Sequence, residues 1–400
     1  MNQTITVAQQ RIRAPLPTRE LERRWAAVRK AMRAEEIDVL VMQNDNQFLG
    51  GYVRYFTDFP ARTAYPVTVL FPANDEMTMI SHGGPPKPPG PPAWAVRGVK
   101  TRLARPYFRT AFYTNSWDAE EAVKVIRERN DRKVGIVGMG AMGAAFYAYL
   151  KENLKGVQLV EASDLVDRIK AVKSDDELAY IRRSAATQDM VFAAMPTIVR
   201  PGKWEYQVRG EVARMLMDLG SEEELIRLSS APPGQPAPTM EPFVQNRQIQ
   251  PGDQVCVLIE PTGPGGFYTE ITRTWCLGEA PRELLEMWDI SLQAQKLAAS
   301  LLKPGVRTGD VFQKVNEFLV AKGQIAEGRT NAHGQGYDLV ERPLFNMEEP
   351  MRLEANMVVA LHPLASNQKA FALCCDDYLV TDGGAERLHK TPQEVFVINC

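Results

Sequence analysis

Two glutamates ten positions apart, Glu260 and Glu270, end and begin strand-like runs within LIEPTGPGGFYTEITRTW. Carboxylates held opposite one another on a hairpin can grip a divalent cation, clamp a cationic substrate or exchange protons. Of the four histidines, two have informative neighbours. His333 lies in AHGQGYDLVERP, whose glycines bare the backbone so that a side chain can reach into a cavity, and His362 closes the apolar strand VVALHP. Asp376 and Asp377 open DDYLVT, directly after Cys374 and Cys375. A lone histidine is usually an ordinary polar residue. Together these carboxylates and imidazoles form a transition-metal donor set that only the concave face of one sheet could gather.

The elements that must position them fall into two groups. Residues 17–36 carry apolar side chains at helical spacing. IDVLVM, PVTVLFP and EMTMISH read as strands, WDAEEAVKVIRERN as a helix and KVGIVGM as a strand. The Pro/Gly run 83–92 can be neither helix nor sheet interior and is expected to be a long loop. Together these make an α/β domain over 1–168. Gly138, Gly140 and Gly143 have the outline of a dinucleotide fingerprint. One strand followed by two helices is the wrong setting for it, so a tight strand-to-helix turn is the better reading. Two helical runs then break at Lys173-Ser174, and Ser174 with Glu177 makes a capping box for the second. From 169 to 400, strands joined by short turns alternate with long helices, which predicts an α+β domain with an antiparallel sheet.

Composition excludes several function classes. The formal net charge is −2, from 47 basic and 49 acidic residues with no block of like charge, which points away from nucleic acid and anionic membranes. No apolar run is long enough to span a bilayer, and MNQTITVAQQRIRAP lacks the apolar centre of a signal peptide. The five cysteines, Cys256, Cys276, Cys374, Cys375 and Cys400, are a poor disulfide framework, so a reducing cytoplasm is the expected compartment.

TEITRTW, the HGQG-Y-x-L-x-E-x-P loop, VVALHP and DDYLVTDGGAERL fall in the order and spacing of the pita-bread enzymes. That family comprises methionine aminopeptidases, prolidase, Xaa-Pro aminopeptidase, creatinase and a lyase that cleaves dimethylsulfoniopropionate. The chain resembles it over nearly its whole length, most strongly from 160 to 395. The resemblance implies a creatinase-like N-terminal α/β domain, a C-terminal pita-bread domain with a curved antiparallel sheet, and a homodimer. It further implies a small-molecule substrate and a metal site at Glu260, Glu270, His333, His362 and Asp376 or Asp377, with Cys375 also in register. The family's peptidases use two aspartates, one histidine and two glutamates there. Here both aspartates are lengthened to glutamate, one residue short of the usual spacing, and His362 replaces a glutamate.

Two histidines that assist peptide substrates are missing: Val340 stands at one position, and the loop around Met240 and Glu241 lacks the other. A conventional peptidase is therefore not expected. The expected activity is hydrolysis of a C–N bond in a small carboxylate-bearing metabolite. Iron, zinc or manganese suits two histidines among carboxylates, and Glu341 matches a loop glutamate able to accept a proton. The alternatives are proton abstraction and elimination by a lyase, metal-free creatinase-like hydrolysis with His333 as acid–base, an Xaa-Pro peptidase, and a non-catalytic binding protein. Arg54, Tyr55, Arg62 and Glu241 are the candidate substrate-binding residues, Arg54, Tyr55 and Arg62 because arginine among aromatics suits a carboxylate or an aromatic ring.

Overall fold

Buried β-branched and leucine-rich strands, with helices before, between and after them, build the first half of the chain. The structure is a computed structural model that describes residues 12–399 except 45, 47, 50, 62, 63 and 84–94. It divides into two units, Met1–Lys170 and Ala171–Cys400, two residues beyond the expected boundary. Arg62 and most of the Pro/Gly run lie outside the described residues.

In the first unit, strands β1 (Val39–Asn44), β2 (Val67–Pro72), β3 (Met77–His82), β4 (Val99–Arg105), β5 (Lys133–Val137) and β6 (Gln158–Glu161) form one mixed sheet. Their order is β4-β3-β2-β1-β5-β6. The helices are α1 (Thr18–Ala34), α2 (Gly51–Thr57), α3 (Trp117–Arg129), α4 (Ala144–Asn153) and α5 (Ser163–Ala171). Val39, Val41, Leu70 and Ile80 pack against Ala119, Val123 and Ile126 of α3 and Phe146 and Leu150 of α4. The GMGAMG run is a turn. Gly138 has φ +68°, and a Cβ there would come within 2.6 Å of the Tyr52 ring, so the glycine serves packing and chain reversal.

In the second unit the Ser174 capping box, closed by Glu177, opens α6 (Asp175–Ile198). Next come α7 (Glu205–Asp218), β7 (Ile226–Ala231), β8 (Gln254–Ile259), β9 (Ile271–Cys276), α8 (Arg282–Leu301) and α9 (Thr308–Ala321). The remainder is strand: β10 (Ala332–Gly334), β11 (Glu341–Leu344), β12 (Val358–Leu361), β13 (Leu364–Ser366), β14 (Phe371–Leu373), β15 (Asp376–Thr381), β16 (Gly384–Arg387) and β17 (Phe396–Val397). Two larger sheets result, β17-β9-β8-β7 and β11-β10-β12-β15-β16, bridged by an antiparallel pair between Thr272 and Cys375.

Each sheet has one face covered by helices. Val255, Val257, Ile259, Ile271 and Trp275 pack on α6 and α7, and Ala332, Val359, Leu361 and Val380 on α8 and α9. Side chains alternate across a strand, so the residues between these point to the opposite, uncovered faces, where the expected site residues lie. Among the described residues no helix is long and apolar enough to cross a membrane. Cys256, Cys276, Cys374 and Cys375 are buried and unbridged.

Candidate metal centre

Antiparallel register brings the two glutamates together. β8 and β9 pair Ile259 with Ile271, and an isolated bridge pairs Thr262 with Tyr268 in the same register, so Glu260 and Glu270 stand opposite each other. Gln188 of α6 clamps this pair from behind: its Nε2 donates to the carbonyls of Ile259 (3.1 Å) and Thr269 (2.5 Å), the residues just before each glutamate. Gln188 is itself oriented by His389. The Asp377 amide donates to His389 Nδ1 (3.2 Å), which leaves the ring proton on Nε2 to be donated to Gln188 Oε1 (2.5 Å).

The other donors come from the second sheet. β10 and β12 pair His333 with Ala360, and β12 and β15 pair Ala360 with Asp377. His333, Ala360 and Asp377 therefore form one row on one face, with the small Ala360 leaving room between the two polar residues. Ala332, Leu361 and Asp376 form the neighbouring row on the other face. His362, one residue past β12, returns to the site face.

Glu270, His333 and His362 converge: one donor atom from each lies within 4.8 Å of the others. His333 Nδ1 donates to the Gly334 carbonyl at 3.0 Å, so Nε2 is the lone-pair nitrogen, 3.6 Å from Glu270 Oε2. Burial lowers His333 to about 4, and burial together with His333 lowers His362 to about 3. Both rings are thus neutral at pH 7, and the His333–Glu270 approach is not an ion pair.

The carboxyls move the opposite way. Burial pushes Glu270 up to about 7, against the pull of the Cys375 thiol, Arg227 and Arg329. Burial, then Glu270 and Asp377, raises Glu260 well above the carboxylate range; burial and Glu270 do the same to Asp377. His362 Nε2 and Asp377 Oδ1 are buried with no hydrogen-bond partner. Neutral imidazoles, crowded carboxyls and orphaned buried lone pairs are what a cation would satisfy, so these residues fit a transition metal. Glu270, His333 and His362 would hold it, with Glu260 and Asp377 alongside.

Two expectations require correction. Asp376 is no ligand: it lies on the helix-covered face, where its Oδ1 is 2.7 Å from Arg273 Nη2 and 3.3 Å from Arg387 Nη1. Burial works to raise its pKa, but Arg273, His389 and Arg387 overcome this and hold it low. Glu341 is not a free base either. Its Oε2 accepts from Lys173 Nζ (2.8 Å), and its Oε1 accepts from the Tyr337 (2.7 Å) and Asp338 (3.2 Å) amides. It fixes the loop after His333. The glycines there are required by crowding: a Cβ on Gly336 would meet Glu341 Oε1 at 2.6 Å, and one on Gly334 the Arg342 carbonyl oxygen at 2.5 Å.

Of the remaining residues, Tyr55 is fully buried in the first unit, its ring 4.5 Å from the Arg24 guanidinium, and Arg54 is buried beside it in α2. The interior of that unit is what Tyr55 touches. Glu241 pairs with Arg227 (2.6 Å). Cys375 is buried on the site side, its thiol raised by burial and then by Glu270 and Asp377. Gln335 was missed by the sequence reading; its Nε2 donates to Glu260 Oε1 at 2.8 Å. Its place inside HGQG was the available signal. Nothing in the sequence marked Gln188 or His389.

A histidine- and acid-lined centre on a curved antiparallel sheet, with helices behind it, defines the pita-bread fold. The chain belongs to metallopeptidase family M24, whose model matches residues 179–382, just over half its length. It is 27% identical over 249 residues to a probable dipeptidase PepE of Mycobacterium tuberculosis, covering 61% of this chain and 65% of that one. It is 25% identical over 222 residues to a creatinase of a Bacillus species, covering 54% of this chain and 53% of the creatinase. The X-Pro aminopeptidase of Thermotoga maritima superposes with a TM-score of 0.78 at 17% identity, over 94% of this chain and 99% of that one.

Proposed function

We propose that this chain is a metal-dependent hydrolase that cleaves a C–N bond in a small carboxylate-bearing molecule and works as a homodimer. The observation that carries the reading is the buried triad of Glu270, His333 and His362, in which His362 Nε2 is buried without a hydrogen-bond partner. A bound iron, zinc or manganese ion would supply Lewis acidity toward a substrate oxygen or water. His333 is held in one tautomer by the Gly334 carbonyl, which aims Nε2 at the centre. Glu260 stands opposite Glu270, anchored through Oε1 by Gln335. Its Oε2 has no hydrogen-bond partner among the described residues and is the atom placed to move a proton between water and leaving amine. Leu258 and Thr272 pair across β8 and β9 on the same face and are buried.

The relatives are named as a probable dipeptidase, a creatinase and an X-Pro aminopeptidase, whereas the two histidine positions that the resemblance ties to peptide substrates are altered here. Val340 is exposed, and Glu241 is engaged with Arg227. Both support a substrate smaller than the peptidases' own. Incubation of a panel of N-acylated amino acids in isotopically heavy water tests the chemistry. Heavy oxygen in one product is the expected result; an alkene product without it identifies an elimination, and full turnover by Glu270→Ala removes this centre from the reaction altogether.

A further inference from the structure

Two arginines that the sequence reading passed over flank the centre. Arg227 pairs in register with Leu258, so its side chain shares the site face with Leu258 and Glu260. Its Nη2 holds Glu241 Oε1 at 2.6 Å, while its Nε is buried without an acceptor. The guanidinium fork therefore grips its carboxylate with one prong only. Glu241 sits on a loop tied back to β7 by Gln245, whose Nε2 donates to the carbonyls of Met240 (2.8 Å) and Ile226 (3.2 Å). The ion pair is partly open to solvent, 38% exposed at Arg227 and 49% at Glu241, and such a pair is easily exchanged.

Arg329 lies in the loop before β10, four residues before His333. It is exposed, and its side chain makes no hydrogen bond or ion pair among the described residues; only its backbone amide is engaged, with Glu327 Oε1 at 2.9 Å. The charges of both arginines act on Glu270, and that of Arg329 also on His333 and His362. An uncommitted guanidinium beside a buried acid-rich centre gains nothing from water that a bidentate anion would not improve.

We propose that Arg227 and Arg329 form a carboxylate-binding subsite that sets the substrate's acid group beside the triad, with Glu241 as the internal carboxylate that a substrate displaces from Arg227. This rests on the hydrolase reading for the position of the scissile bond, though the anion site stands on the two arginines alone. The subsite selects a monocarboxylate whose C–N bond lies a few bonds from the acid.

Calorimetric binding of N-acetylglycine and of its uncharged methylamide to the full chain tests it, with metal content and melting temperature recorded for every variant. Wild type is expected to prefer the acid by about tenfold or more. Arg227→Gln and Arg329→Gln should each weaken the acid by about tenfold while leaving the methylamide unchanged. Glu241→Gln should tighten the acid, an opposite sign that a merely structural pair would not give. Equal affinity for acid and amide in wild type, no binding of either, or an unchanged preference in both arginine variants overturns the subsite. If the preference fails while metal and turnover persist, the hydrolase reading survives. If metal and turnover are absent while the preference holds, the reverse is true.

Discussion

Asp376 and Asp377 are neighbours on one strand, both wholly buried, yet they belong to regions governed by opposite electrostatics. On the helix-covered face, Asp376 meets Arg273, Arg387 and the amides of Gln295 (3.3 Å) and Gln393 (3.0 Å). Every lone pair has a donor, and the carboxylate is held ionised. On the site face, Asp377 receives the Glu270 amide on Oδ2 at 3.2 Å, and its Oδ1 has nothing. Its nearest charged neighbours are other acids. One aspartate is fully satisfied and the next keeps an orphaned oxygen, a contrast that the proposed cation site would explain.

The largest expected difference lies in stability. Removing one member of the compensated pair, by Asp376→Ala or Arg273→Ala, should cost about 3–5 kcal/mol in chemical denaturation, because the partner is left charged and buried. Glu270→Gln should leave the metal-free protein as stable as wild type or more so. An equal loss in both would erase the contrast between the two faces.

Metal affinity should separate the faces in the other direction. Glu270→Gln and His362→Ala are each expected to weaken zinc or manganese binding by about 100-fold or more in equilibrium dialysis, with secondary structure intact.

Acidity sharpens the same point. With Glu270 pushed up to about 7, a proton must leave before a cation binds, so affinity should rise about tenfold per pH unit on approach to that value and level off above it. His333 and His362, lowered to about 4 and 3, are neutral throughout and contribute no slope there. Affinity flat from pH 5 to pH 8 would contradict the assignment.

The smallest effect concerns Asp377. Its folded pKa is raised, so its contribution to stability is present at low pH and is lost as pH rises through the folded value. In the metal-free protein Asp377→Asn should therefore be more stable than wild type at pH 8, with the gain vanishing in acid. Thermal unfolding at the two pH values measures it.

Much of this was legible in the sequence, and the limit has a physical origin. The hairpin of Glu260 and Glu270 and the capping box at Ser174 are set by local chemistry, and a reading of local pattern found them. So did the two histidines, whose glycine loop and strand end were local marks. The side on which Asp376 or Asp377 falls depends on strand phase, which the register with β12 decides and the run CCDDYLVT does not disclose. Glu341 looked like a free base because its partner, Lys173, is 168 residues away. Gln188, which clamps both hairpin strands, and His389, which orients it, lie 201 residues apart. Arg227 and Arg329 acquire meaning only once β7 and the loop before β10 are folded against the same centre.

The claim on which all of this depends is that the uncompensated face is a cation site. Elemental analysis of the full chain, purified without chelator, addresses it directly. About one equivalent of iron, zinc or manganese per chain is predicted, falling with Glu270→Gln and with His362→Ala. Less than about a tenth of an equivalent, with turnover indifferent to chelator, would contradict it.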